Sequence, residues 1–178
     1  NALSKKLVAT VKRDGFEYQQ AFAKGTPLGK IERVGPARGH GTSIYFEPDE
    51  TIFKHVKFDP DTLKVRFEDT AFIHSGLHIT FKNEVTGETL ELANPGGLAA
   101  YLTKLVKEAD KPGVTEAVFS ASRDAGDRIE VALQWTESTE EVYRAYANGI
   151  RTPNGGTHEN GLKSAIRKAI NAYIETHD

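Results

Sequence analysis

The chain has 178 residues, 23 Lys and Arg against 25 Asp and Glu, and a formal net charge of -2. That balance excludes a global electrostatic attraction to nucleic acid or to an anionic membrane, so any such contact must come from a local patch. Cysteine is absent, which excludes disulfides and thiolate metal sites and is compatible with a reducing compartment.

At 38% hydrophobic and 27% charged residues, the composition suits a folded chain with a real core, as one mid-sized domain or two small ones. No apolar run approaches a membrane span and no signal-peptide pattern opens the chain. Methionine is also absent. Asn1 is therefore expected either to follow a trimmed initiator or to open a fragment of something longer.

In chain order, 1–6 reads as the tail of a helix. Leu7 to Arg13 alternates apolar and polar residues and predicts a half-buried strand. Asp14-Gly15 predicts a two-residue hairpin turn, because both residues tolerate positive φ. Phe16 to Ala23 is the returning strand. Residues 24–41 are rich in Gly and Pro and read as a long loop. Thr42 to Phe46 predicts a strand closed by Pro48. A helix is expected over 62–71, with Leu63, Phe67 and Ala71 on one stripe, ended by Gly76. Leu77 to Asn83 and Glu88 to Ala93 predict a second hairpin.

Asn94-Pro95-Gly96-Gly97 breaks both kinds of element and is the expected boundary between two units, 1–94 and 95–178. Leu98 to Glu108 then predicts an amphipathic helix. Ala117 to Arg123 should pair across Asp124-Ala125-Gly126 with Arg128 to Trp135, where Ile129, Val131, Leu133 and Trp135 share a face. Glu141 to Ala147 reads as a third strand and 148–156 as a polar loop. The last helix is the clearest element. Leu162, Ala165, Ile166, Ala169, Ile170, Tyr173 and Ile174 recur at helical steps behind Thr157, an expected N-cap. The pattern is α+β with mostly antiparallel strands.

Few residues carry chemistry by spacing alone. Gly155-Gly156-Thr157-His158 before a helix could hold an anion on free amides, but a loop with a capping Thr is the commoner meaning. Gly39-His40-Gly41-Thr42 could let a ligand approach a strand, or could be a plain loop-to-strand turn. His74 and His78 are separated by Gly76, so no metal site is expected from them. Lys163, Arg167 and Lys168 on the last helix could face phosphate or could be a solvated face. No paired carboxylates, Ser-His-Asp set or phosphate loop stands out.

Taken together, Asn1-Ala2-Leu3-Ser4, Lys12-Arg13-Asp14-Gly15, Gly41-Thr42, Phe72 to Leu77, Glu130 to Trp135, and Asn148 through Glu159 with the helix after it resemble, in unbroken order, the ATP-operated B subunits of bacterial type IIA DNA topoisomerases, gyrase or topoisomerase IV. The resemblance implies the rear part of a GHKL-type ATPase α/β sandwich over 1–94. It implies the first half of a transducer domain of the ribosomal-protein-S5-like fold over 95–178. It further implies an ATP-hydrolysing, cytoplasmic DNA topoisomerase that uses ATP and magnesium. The implied partners are a second B subunit, the A subunit in a heterotetramer of two A and two B subunits, and duplex DNA, with no membrane.

Carried over residue by residue, Thr42 matches a Thr that helps hold adenine, beside Gly41. Ile44 matches an apolar wall of that pocket. Arg13 matches an Arg at the pocket mouth where coumarin-type inhibitors bind. Lys163, Arg167 and Lys168 are possible DNA-facing residues. No catalytic residue and no metal ligand is expected within the chain. The general base, the magnesium-binding Asn, the adenine-reading Asp, the lid and the Gln-Thr-Lys loop are expected outside it, so this segment is expected to be catalytically incomplete and to hold no cofactor alone. Ile73-His74 and Arg151-Thr152-Pro153-Asn154 depart from the family's commonest wording. A stand-alone nucleic-acid-binding module of the S5-like fold, or a mismatch-repair or chaperone relative among GHKL ATPases, are the alternatives.

Overall fold

The computed structural model describes residues 1–177. It divides into two compact units, Asn1–Asp59 and Pro60 to the end of the chain.

The first unit is one antiparallel sheet. Strands β1 (Ser4–Arg13), β2 (Phe16–Ala23), β3 (Thr26–Pro27), β4 (Glu32–Pro36) and β5 (Gly41–Pro48) are ordered β3-β2-β1-β5, with β4 also on β2. The start of the chain corrects the expectation of a helix tail. Ser4 already belongs to the ladder, opposite Pro48, and the alternation that marks the strand merely begins later in the sequence. The Asp14-Gly15 turn forms as expected, with φ of 54° and 79° between the paired residues Arg13 and Phe16. Both central residues at positive φ match the twist of the two strands. The expected long loop is more ordered than its composition suggests. Phe22 and Ala23 pair with β3, and Phe16 to Gln19 pair with β4, so both segments lie along the outer edge of β2.

One end of this sheet is pinned by a polar clasp. The Asp49 carboxylate, only 3% exposed, accepts from the Thr51 N–H at 2.9 Å and the Thr51 hydroxyl at 2.7 Å, and pairs with Lys24 Nζ at 3.0 Å. Its own N–H donates to the Leu3 carbonyl. These bonds, led by the Thr51 hydroxyl and Thr51 N–H and followed by Lys24, hold the carboxyl down at about 2.

The second unit comprises helix α1 (Pro60–Ile73), the hairpin β6 (His78–Asn83) and β7 (Glu88–Ala93), helix α2 (Gly97–Glu108), the hairpin β8 (Phe119–Ala125) and β9 (Asp127–Leu133), the short pair β10 (Tyr146–Ala147) and β11 (Ile150–Arg151), and helix α3 (Thr157–His177). Helix α1 lies on the β6–β7 hairpin, where Phe67 meets Phe81 at 5.8 Å between ring centroids and Lys64 pairs with Glu88 at 2.8 Å. Helix α2 packs between α1 and the β8–β9 hairpin. Phe72 stacks on Tyr101 at 5.1 Å, and Lys104 reaches Glu68 at 2.5 Å. The expected break at Asn94-Pro95-Gly96-Gly97 is a tight turn inside this unit. Its Pro95 carbonyl accepts from the Ser75 hydroxyl, and the Gly97 N–H donates to the Asn94 carbonyl.

Four local expectations are corrected. The β8–β9 ladder continues through Ala125 and Asp127, leaving Gly126 at the apex. Of the strand expected over 141–147, only Tyr146–Ala147 pairs. The preceding residues turn their groups to side-chain contacts instead: Tyr143 lies under the Lys163 ammonium, and Arg144 reaches the Tyr101 hydroxyl. The polar loop then contains the second partner, β11, joined through Asn148-Gly149 at φ of 51° and 76°. Finally, α3 opens at Thr157 with the Asn160 N–H on the Gly156 carbonyl. Thr157 is therefore the first helical residue, and Gly156 takes the cap position.

Candidate nucleotide-side sheet face and the α3 basic face

Strand parity assembles the first candidate site. The register sets Val11 opposite Thr42 and Ala9 opposite Ile44, and across β2 it sets Arg13 opposite Phe16 and Val11 opposite Tyr18. Residues two apart on a strand share a face. Thr42, Ile44 and Phe46 therefore share one face with Leu7, Ala9, Val11 and Arg13, and with Phe16, Tyr18 and Phe22. Three residues singled out from separate sequence segments, Arg13, Thr42 and Ile44, are brought to one side of one sheet.

The opposite face is mostly polar, Val8 and Ala21 apart. Tyr45 donates to Glu47 at 2.8 Å, Gln19 to Thr10 at 3.2 Å, and Lys12 pairs with Glu17 at 3.9 Å. The contrast identifies the Thr42 side as the one built to be covered. Within the described residues it is only partly covered: Ile44 is 53% and Phe46 48% exposed. Cover comes from the segment after β5, where Phe58 meets Phe46 edge-on at 5.8 Å. That segment and the start of β1 form an apolar groove of about 340 Å³ lined by Leu3, Phe46, Phe53 and Phe58 among others. Thr42 and Ile44 do not line it.

Gly41 opens β5 opposite Lys12, at φ 153° with open space where a Cβ would stand. Among the described residues no strand pairs with the outer edge of β5. Its N–H and C=O groups on that side, and the Thr42 hydroxyl, are free to meet an incoming group. Arg13 sits at the hairpin end, 78% exposed in its side chain, with Nε 3.3 Å from Asp14. What the face can do chemically is limited. It offers a hydroxyl and an apolar wall for a flat ring, and an exposed guanidinium at one margin. Among the described residues no group of three or more His, Asp or Glu is arranged to hold a metal ion.

The second candidate is α3. Lys163 is held by Glu141 at 2.7 Å and Glu159 at 3.0 Å, and those hydrogen bonds push its ammonium up to about 12. It is thus engaged by carboxylates, whereas Arg167 and Lys168 lie exposed one turn further on. The Gly155-Gly156 approach to α3 is occupied by the chain itself. The His158 ring folds back so that Nε2 stands 3.2 Å from the Thr152 hydroxyl, and a Cβ on Gly156 would meet that ring at 2.6 Å. Glu159 reaches over Gly155 in the same way. The His74 ring lies over Gly149.

Sequence reasoning missed one polar cluster. Tyr101, 4% exposed, donates to Asp69 Oδ1 at 2.6 Å and receives the Arg144 guanidinium. Burial, then the Asp69 bond, pushes the Tyr101 phenol well above its usual range, so it stays a neutral donor.

The sequence and fold have relatives. Residues 97–178 match the family model described as DNA gyrase B. The chain is 36% identical over 177 residues to the gyrase B protein of Campylobacter jejuni, covering 99% of this chain and 23% of that protein. Two solved structures superpose on it. One is the 43K ATPase domain of Thermus thermophilus gyrase B in complex with an aminocoumarin (TM-score 0.82, 30% identity, 98% of this chain and 48% of that one). The other is the topoisomerase IV ATP-binding domain of Francisella tularensis in complex with a small-molecule inhibitor (TM-score 0.85, 32% identity, 99% and 48%). The fold is that of about half of each of these domains, part of an α/β architecture of the GHKL ATPase type followed by a small transducer-like β region. The chain spans about a quarter of the length of the curated relatives it matches.

Proposed function

We propose, for a chain whose residues 97–178 match the DNA gyrase B family model and which aligns along nearly its whole length with a gyrase B relative, that it couples nucleotide state to DNA-gate movement in an ATP-dependent type IIA topoisomerase. In this reading residues 1–94 are the rear of the nucleotide-binding domain and 95–178 the first half of the transducer. The observation that carries it is the shared sheet face of Arg13, Thr42 and Ile44, set in a chain whose relatives include an ATP-binding domain.

The Thr42 hydroxyl and the adjoining Gly41 backbone would hold the adenine edge. Ile44 would wall its ring, and Arg13 would guard the mouth where an aminocoumarin could seat. ATP bound with magnesium supplies the phosphoanhydride chemistry. In this reading Thr42, Gly41 and Ile44 supply the adenine-side contact and other groups carry out hydrolysis. The working assembly is a pair of B subunits with A subunits and duplex DNA, in the cytoplasm. On α3 the exposed Arg167 and Lys168 are the DNA-facing cations, with Lys163 secondary because Glu141 and Glu159 already neutralise it.

Steady-state kinetics test this in the full-length protein with its A-subunit partner. Thr42→Ala should raise the KM for ATP more than it lowers kcat in ATP-dependent supercoiling, as loss of a binding contact requires. An unchanged KM would remove Thr42 from the site. The isolated 178-residue chain should show no ATP turnover, and turnover at the level of an intact B subunit would overturn its assignment as catalytically incomplete.

A further inference from the structure

We propose that the 144–151 hairpin is latched at two points onto α1 and α2, so that these elements move as one block. The latch rests on the coupling role proposed above only for its functional consequence.

The first point is the part-buried relay centred on Tyr101. Asp69 on α1 accepts from Tyr101 on α2, and Tyr101 in turn receives Arg144 just before β10. Three elements thus meet at one phenol, which is stacked on Phe72 and almost wholly buried. Bonds made there are partly shielded from water, and removing one partner strands the others. The second point is steric. His74, at the end of α1, lies directly over the Asn148-Gly149 turn, where a Cβ on residue 149 would fall 2.2 Å from its Nε2. A side chain at residue 149 would have to push the exposed His74 ring aside, and the positive φ there favours glycine as well. The short β10–β11 ladder has two paired positions and one flanking bond, Thr152 N–H to the Ala145 carbonyl. So few bonds leave a hairpin marginal alone, and its position depends on what it leans against.

The two points are separable by design. Asn tolerates positive φ far better than other side chains, so Gly149→Asn tests the His74 contact with little backbone penalty. In hydrogen exchange of the full-length protein, Gly149→Asn should speed exchange of residues 144–152 roughly tenfold. The His74→Ala/Gly149→Asn pair should recover most of that protection. Tyr101→Phe should loosen the same segment by a similar factor. Thr103→Ala is the control and should leave protection of that segment unchanged, since this exposed hydroxyl bonds to the Ala99 carbonyl within α2. Unchanged exchange in both Gly149→Asn and Tyr101→Phe overturns the latch. Failure of His74→Ala to rescue Gly149→Asn overturns the steric point.

The consequence is read separately, as DNA strands passed per ATP hydrolysed. Loosened variants should pass fewer strands while hydrolysing ATP normally. Loosened exchange with an unchanged ratio overturns transmission through the latch. Absence of ATP-dependent strand passage in the unaltered protein overturns the proposed function, while exchange still decides the latch.

Discussion

The two units are held together in different ways. In the first, structure rests on long backbone ladders and on one buried carboxylate, Asp49, while its apolar face stays half open at Ile44 and Phe46. In the second, the ladders are separate two-stranded hairpins, and the buried apolar residues Ala71, Phe72 and Tyr101 lie on α1 and α2. Hydrogen-bonded pairing alone can therefore fix a sheet's register, while leaving a face whose burial must come from elsewhere. Side-chain packing fixes the second unit, and its neighbouring elements are placed by what they bury.

Substitutions that act on only one of these supports should separate them. The largest effect is expected at Phe72, 7% exposed and stacked on Tyr101. Phe72→Ala should destabilise the second unit by about 3–5 kcal/mol in chemical denaturation, the usual cost of emptying a buried aromatic site. Amide protection in β1 and β2 should persist, because those strands do not depend on that ring. Collapse of both at once would show that the supports are not separate. Next is Gly15, at φ 79° in the tight turn. Gly15→Val should cost about 1–2 kcal/mol, the strain of a branched side chain in the left-handed region, seen as a lower midpoint for the first sheet only.

The same division decides what the sequence revealed. Asp14-Gly15 and the β1–β2 alternation were legible because a turn and its flanking strands are local. Arg13, Thr42 and Ile44 were singled out by resemblance, and only the β1–β5 register of the folded sheet brings them to one face. The strands β3 and β4 were hidden in a Gly- and Pro-rich stretch, since they exist only through pairing with β2. Residues 141–147 alternate like a strand, yet Tyr143 and Arg144 turn their side chains to Lys163 and Tyr101. Asn148-Gly149, a strong hairpin signal in principle, joins strands too short to show a period. The Asp69–Tyr101–Arg144 relay joins residues 32 and 43 positions apart, and no periodicity reports such a meeting.

The buried carboxylate of the first unit gives a test by pH. Asp49 is held at about 2 from an ordinary 3.8. A carboxyl depressed by folding contributes stability that is complete above its unfolded value and fades as pH falls through its folded one. The first sheet should therefore keep its Asp49-linked stability down to about pH 4 and lose it between about pH 4 and 2. Asp49→Asn should flatten that part of the profile. A wild-type curve already flat there would mean that the clasp adds nothing to the ladder.

The smallest effect belongs to Arg13. Its guanidinium is largely solvated, and its partner Asp14 is its neighbour in sequence. Such a pair gains little beyond what water offers, so Arg13→Ala should change stability by less than about 0.5 kcal/mol. Aminocoumarin affinity in the full-length protein should nevertheless fall if Arg13 stands at a pocket mouth beside Thr42. The two readings pull apart cleanly. A loss of stability without a loss of affinity would make Arg13 a strut of the hairpin. A loss of affinity with stability intact would make the open face of the first unit a binding surface, which is the reason it can remain uncovered by its own side chains.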